Sequence, residues 1–228
     1  MITASDPYYG VCRIGRDRFA YLLRELAAPS VVAERDPEEY WDLIWLNYRS
    51  DPLFLLALFN VSSSMGKENM PAGKSPDGRH HRPTHSWGNT LAPYFGPAPI
   101  ATIRDIDGVP HPVYFDWKEG CASTAARLTT HLFFFRGEER DIGQVFEDPF
   151  QREPAIDWFY GHNVPDAGAY LDEVLAFMNF HADDGEENIP EPDCPLLLSS
   201  ANGDQFQFPS KGPASLSALL EAGYVVKV

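Results

Sequence analysis

The stretch that most constrains this chain is DPLFLLALFNVSSSMG, from Asp51 to Gly66. Asp51 is a candidate N-cap and Pro52 fits the first helical position, so the spacing predicts a helix that begins there. The run Leu53 to Phe59 is apolar on every side, and such a helix is stable in water only when the rest of the chain covers it. It is too short to cross a bilayer and has charge on both flanks, which predicts a core helix rather than a membrane span. Asn60, Ser62, Ser63 and Ser64 then make its last turn polar, and Gly66 supplies a stop.

What covers it is sought on either side. Arg16 to Ala28 carries Phe19, Leu22, Leu23 and Leu26 at helical spacing and is predicted to stop near Pro29. Pro37 to Tyr48 forms a second predicted helix, whose Tyr40, Trp41, Ile44, Trp45 and Tyr48 make one aromatic core face. After the central helix, Lys67 to Pro83 reads as a loop rich in Gly, Pro and charge. Ala101 to Ile106 and His111 to Phe115 flank the turn pair Asp107-Gly108, a predicted hairpin. Helices follow at Cys121 to Phe135, Ile142 to Phe146 and Ala169 to Phe180, the last with Tyr170, Val174, Phe177 and Met178 inward. Residues 183–195 are an acidic, Pro-containing linker by composition. Residues 196–228 form a small appendage, with LLLSS and QFQF around the turn Asn202-Gly203 and a terminal helix ending in YVVKV.

At 228 residues the chain is long enough for one domain with a short appendage. A formal charge of -15 argues against nucleic acid or an anionic membrane as partner. Cys12, Cys121 and Cys194 lie far apart without CxxC spacing, so neither a zinc site nor a disulfide framework is expected. His80, His81 and His85 sit close together, but no Cys or Asp at regular spacing joins them, and a solvated loop is the simpler reading. No metal or cofactor is expected. The first ten residues lack a basic start and an apolar stretch, so no secretory signal is read there.

Two dense stretches carry a family resemblance. The apolar helix ending in Ser63-Ser64-Met65-Gly66, followed by a Gly/Lys/Pro loop and then by Trp87-Gly88-Asn89, resembles the glucosaminidase family of the lysozyme superfamily, which cleaves the glycan strand of peptidoglycan. Tyr114 to Gly120 is similar to the family's aromatic and Glu-Gly stretch, and Asp166 and Tyr170 fall in register with its last segment, where Asn163 replaces a common acid. The resemblance covers about Phe19 to Ala182. It implies a lysozyme-like α+β domain, mainly helical, with a small β-hairpin lobe forming one wall of a groove. It further implies a peptidoglycan or other GlcNAc-containing glycan as partner, contacted by Ser63, Trp87, Gly88, Asn89, Tyr94, Tyr114 and Asp166, with Tyr114 also a candidate for the catalytic set beside the Ser62 position and Glu68, and a location outside the cell or at its wall. Trp87 and Tyr94 are expected to stack on sugar faces and Asn89 to read an acetamido group.

Ser62 falls where the family has its catalytic glutamate. Cleaving a glycosidic bond needs a carboxylic acid kept protonated beside the leaving oxygen, and a serine hydroxyl is too weak an acid for that. No Gly-x-Ser-x-Gly elbow makes the serines nucleophiles. Three accounts stand open: an engineered replacement, a natural protein that keeps the groove and has given up hydrolysis, or transfer of the role to another carboxylate. Glu68 is nearest in sequence, and Asp105, Asp107, Asp116 and Glu119 are candidates for the opposite wall. Ser62 itself is expected to bond helical carbonyls. From a different class, the chain is read as a non-catalytic structural or glycan-binding component of a larger assembly.

Overall fold

The computed structural model describes residues 1–67, 84–88, 97–104, 110–134, 141–146, 167–182, 196–200, 205–208 and 224–227. Helices run over Arg16–Leu26 (α1), Pro29–Glu34 (α2), Pro37–Asp42 (α3), Pro52–Ser63 (α4), Trp117–Phe134 (α5) and Ala167–His181 (α6). Ala101–Arg104 (β1) and Pro110–Val113 (β2) pair antiparallel, Ala101 opposite Val113, as the predicted hairpin. The fold is α+β and mainly helical.

Asp51 opens α4 as its side chain predicts, its carboxylate accepting from the Leu53 N–H at 3.1 Å, with Pro52 in the first turn. Every residue from Pro52 to Phe59 is buried. The cover comes from the aromatic face following Pro37: Tyr40, Trp41, Ile44, Trp45 and Tyr48 are all buried. That face continues past α3 through a π-helical turn, Leu43–Asn47, without a break in the rod. Val174 and Met178 of α6 are fully buried, with Tyr170 and Phe177 packed beside them.

The first helix stops at Leu26, just ahead of Pro29 as expected, and Pro29 itself begins the short helix α2, because a proline in the first turn loses no hydrogen bond that a helix start would make. The first fifteen residues, which carry no periodic pattern, form a strap. Tyr9 bridges to Ser50, Pro7 bridges to Asp141, and the Gly143 N–H donates to the Ala4 carbonyl at 2.7 Å. This ties the start of α4 to the 3-10 turn Gly143–Phe146.

The C-terminal strands Leu196–Ser200 (β3), Gln205–Phe208 (β4) and Tyr224–Lys227 (β5) form one antiparallel sheet in the order β4-β3-β5. YVVK, expected at the end of a helix, is thus a strand paired with LLLSS, in keeping with its β-branched and aromatic residues. The turn Asn202-Gly203 and the linker 183–195 lie outside the described residues. Among the described residues no helix is long and apolar enough to cross a membrane.

Candidate functional site

Three separate motif stretches meet at one junction: the polar tip of α4, the segment 84–88, and the first turn of α5. The contact that joins the first two is a hydrogen bond from Ser62 Oγ to the Trp87 carbonyl at 2.7 Å. Ser62 was expected to bond carbonyls of its own helix, but that role belongs to Ser63. Ser63 Oγ donates to the Phe59 carbonyl at 3.0 Å and accepts from the Gly66 N–H at 3.1 Å. Ser63 is therefore buried and committed to ending the helix, not open to a ligand.

The helix breaks earlier than Gly66. Ser64, Met65 and Gly66 have φ of 49°, 58° and 81°, three left-handed residues in succession. They fold the chain back so that the Met65 carbonyl accepts from the Ala28 N–H at 2.9 Å. A side-chain carbon at Gly66 would lie 2.8 Å from the Trp117 ring and 3.2 Å from both Phe59 and Val31.

Trp87 is the centre of the aromatic packing. Its ring stacks on Phe59 at 4.3 Å and 10° and meets Tyr40 at 5.1 Å, and it has no exposed surface. The expectation that it offers a face to sugar is corrected by this packing: the ring is wholly buried against Phe59 and Tyr40 in the protein core. Gly88 is buried beside it. Trp117 packs on the same Phe59 at 5.7 Å, and His85 meets the Trp117 edge at 5.0 Å. The indole N–H groups of Trp87 and Trp117 are buried without a partner among the described residues.

The segment 84–88 is fastened to the end of the hairpin and to α5. The Tyr114 N–H donates to the Thr84 carbonyl at 2.9 Å, and His85 Nδ1 lies 3.0 Å from the Tyr114 carbonyl. A Cβ at Gly120 would overlap the His85 carbonyl oxygen, so glycine there is what lets the segment lie on α5. Tyr114 is buried, with its phenol 2.6 Å from Ser123 Oγ. Like Trp87, it is corrected from a glycan contact or catalytic group to an internal one, since its hydroxyl is engaged inside the fold.

The carboxylates of this region cap α5. Asp116 Oδ1 accepts from the Glu119 N–H at 2.7 Å, as the cap of a capping box does, and Glu119 Oε2 reaches back one residue past the cap to accept from the Phe115 N–H at 3.2 Å. Glu34, which sequence reading passed over, reaches across from α2 and accepts from the N–H groups of Trp117 and Lys118 at 3.1 and 3.2 Å. Burial pushes the nearby Tyr40 phenol far above its ordinary range, keeping it neutral, with the Glu34 and Asp116 charges adding to the effect. Two of the four candidate carboxylates for the opposite wall are thus helix caps. Glu68, Asn89, Tyr94, Asp105, Asp107, Asp166, His80 and His81 lie outside the described residues. Among the described residues no group of three or more His, Cys, Asp or Glu is placed to hold a metal ion.

Chemically, the junction presents a neutral hydroxyl, buried rings and capped carboxylates. No family model, curated protein or solved structure matches the chain.

Proposed function

We propose that this chain is a lysozyme-like, glucosaminidase-type protein directed at the GlcNAc-containing glycan of peptidoglycan, and that it binds this glycan without cleaving it. The observation that carries the reading is the Ser62 to Trp87 hydrogen bond. It joins the helix tip to the tryptophan turn, the two stretches on which the family resemblance rests. The hairpin end and the start of α5 close on the same junction.

Ser62 argues for binding over hydrolysis. Its hydroxyl is already spent on a carbonyl, and removing a general acid costs a factor of about a hundred to ten thousand in rate. Asp116 and Glu119 are engaged as caps, which removes them as ready substitutes. The test compares the native chain with Ser62→Glu for release of reducing ends from peptidoglycan and for retention on purified cell walls. The expected result, in mild acid where a glutamate at position 62 carries its proton, is retention of both and hydrolysis by the glutamate form alone. Efficient hydrolysis by the native chain would mean that another carboxylate serves as the acid.

A second reading is favoured by one specific observation, the burial of Trp87 and Tyr114. Residues that would stack on sugar are used as core, as suits a structural component of a larger assembly that has kept the fold and lost the groove. Absence of both retention and hydrolysis in either form is the result that selects it.

A further inference from the structure

We infer that Ser62 is a positioning residue: a hydrogen-bond donor that latches the Trp87-Gly88 turn to the tip of α4, in a slot that takes a donor and repels a carboxylate. The Trp87 side chain is fully buried, and a backbone carbonyl held in such surroundings needs a partner. Ser62 Oγ is that partner at 2.7 Å, reaching out of its helix while its neighbour Ser63 serves the helix itself. The inference rests on the glycan reading only in what the turn is for; the latch itself is a matter of the fold.

The chemistry of the slot follows from its acceptor. A carbonyl oxygen takes a hydrogen bond from a hydroxyl, an amide or a protonated carboxyl group, and repels a carboxylate. A glutamate at position 62 therefore closes the latch only in its acid form, and the carbonyl favours that form. Charged and titratable groups surround this junction on several elements. Glu34 on α2, and Asp116, Lys118 and Glu119 in the first turn of α5, are engaged in or beside the cap. Tyr40 and His85 touch the tryptophan rings and Lys67 follows Gly66; α6, which packs on α4, carries Asp172, Glu173 and His181, of which the two carboxylates are exposed. All are shared with the native chain, whose own pH profile is the reference.

The test follows Ser62→Thr, Ser62→Ala and Ser62→Glu in the whole chain from pH 4 to pH 9. Unfolding midpoint, amide exchange across residues 84–88 and cell-wall retention are recorded. The threonine form should match the native chain at every pH. The alanine form should lower the midpoint at every pH and speed exchange in 84–88 by about five- to tenfold, the loss of one hydrogen bond. The glutamate form should approach the native chain in acid and fall away as pH rises, its carboxyl titrating above the ordinary value of about 4.3. A folded-state value raised in this way stabilises below the unfolded value and is lost as pH climbs through the folded one.

The latch is overturned if alanine behaves as serine, or if the glutamate form differs from the native chain by an amount that does not change with pH. A glutamate form unfolded at every pH, beside an alanine form that matches the native chain, also overturns it. Should all forms, native included, fail to hold cell walls while the folding and exchange results come out as expected, the latch stands and the glycan reading alone is lost.

Discussion

Gly120 lacks a side chain because the His85 carbonyl occupies the space where one would begin, and Gly66 lacks one because Trp117, Phe59 and Val31 close in on it. Sequence alone marks both as members of short motifs; only packing gives the reason. Ser64 and Met65 hold left-handed backbone without being glycine, at a cost of about 1–2 kcal/mol each, and strain of this kind collects where a chain must present a particular surface. At the other end of α4 the decisive residue is Asp51. Its carboxylate is fully buried and takes three donors: the Leu53 N–H, the Arg13 N–H and the Arg13 guanidinium at 2.6 Å. Burial nevertheless wins over Arg13 and holds the Asp51 carboxyl above its ordinary value. Its ionisation therefore costs stability as pH rises through the folded value, and Arg13 limits that cost. Replacing Arg13 with alanine leaves the charge buried and unpaired. The expected loss is about 3–5 kcal/mol near pH 7, shrinking toward pH 4 as the carboxyl takes up a proton, measured by denaturant unfolding at both pH values. A loss that stays constant with pH would show that Arg13 acts through packing alone.

Among the elements, α5 is the one whose position depends most on borrowed groups. Three carboxylates serve its first turn, and one of them, Glu34, belongs to another helix. Glu34→Ala strips two N–H groups of their acceptor and loosens α2 from α5, an expected loss of about 1–2 kcal/mol. Glu119→Ala removes a single bond at an exposed position and should cost less; unfolding midpoints of the two variants side by side check the order. This element also shows what could be read from sequence. Asp51 with Pro52, the paired strands Ala101–Arg104 and Pro110–Val113 and the aromatic stripe from Tyr40 to Tyr48 were legible because each follows a local rule of capping, strand pattern or period. The roles of Asp116, Glu119 and Glu34 were not, since a carboxylate that caps a helix and one that faces a groove have the same spacing in the chain. Trp87 misled for a related reason: an aromatic beside a glycine suits a ligand platform and a core contact equally, and only the stacking on Phe59 distinguishes them. Pro29 marks both the end of α1, which sequence shows, and the start of α2, which it does not, because proline fits both places.

For the molecule as a whole, the excess of acidic over basic side chains, 33 against 18, sets how it meets any partner. Surface pairs such as Arg16 with Asp42 and Arg24 with Glu38 offset part of the repulsion, but exposed pairs contribute only about 0–1 kcal/mol each. A net -15 therefore leaves self-repulsion dominant, and cell walls carry carboxylates of their own. If recognition is by stacking and hydrogen bonds to neutral amino sugars, as proposed, the long-range charge term opposes binding and salt weakens that opposition. The screening length falls from about 30 Å at 0.01 M salt to about 8 Å at 0.15 M, so the repulsion is largely removed across that range while short-range contacts are untouched. Retention of the native chain on purified cell walls should accordingly hold level or rise between those concentrations. A partner gripped through basic side chains would behave in the opposite way, released steeply by the same change, and such a release would rule out neutral glycan as what this surface recognises.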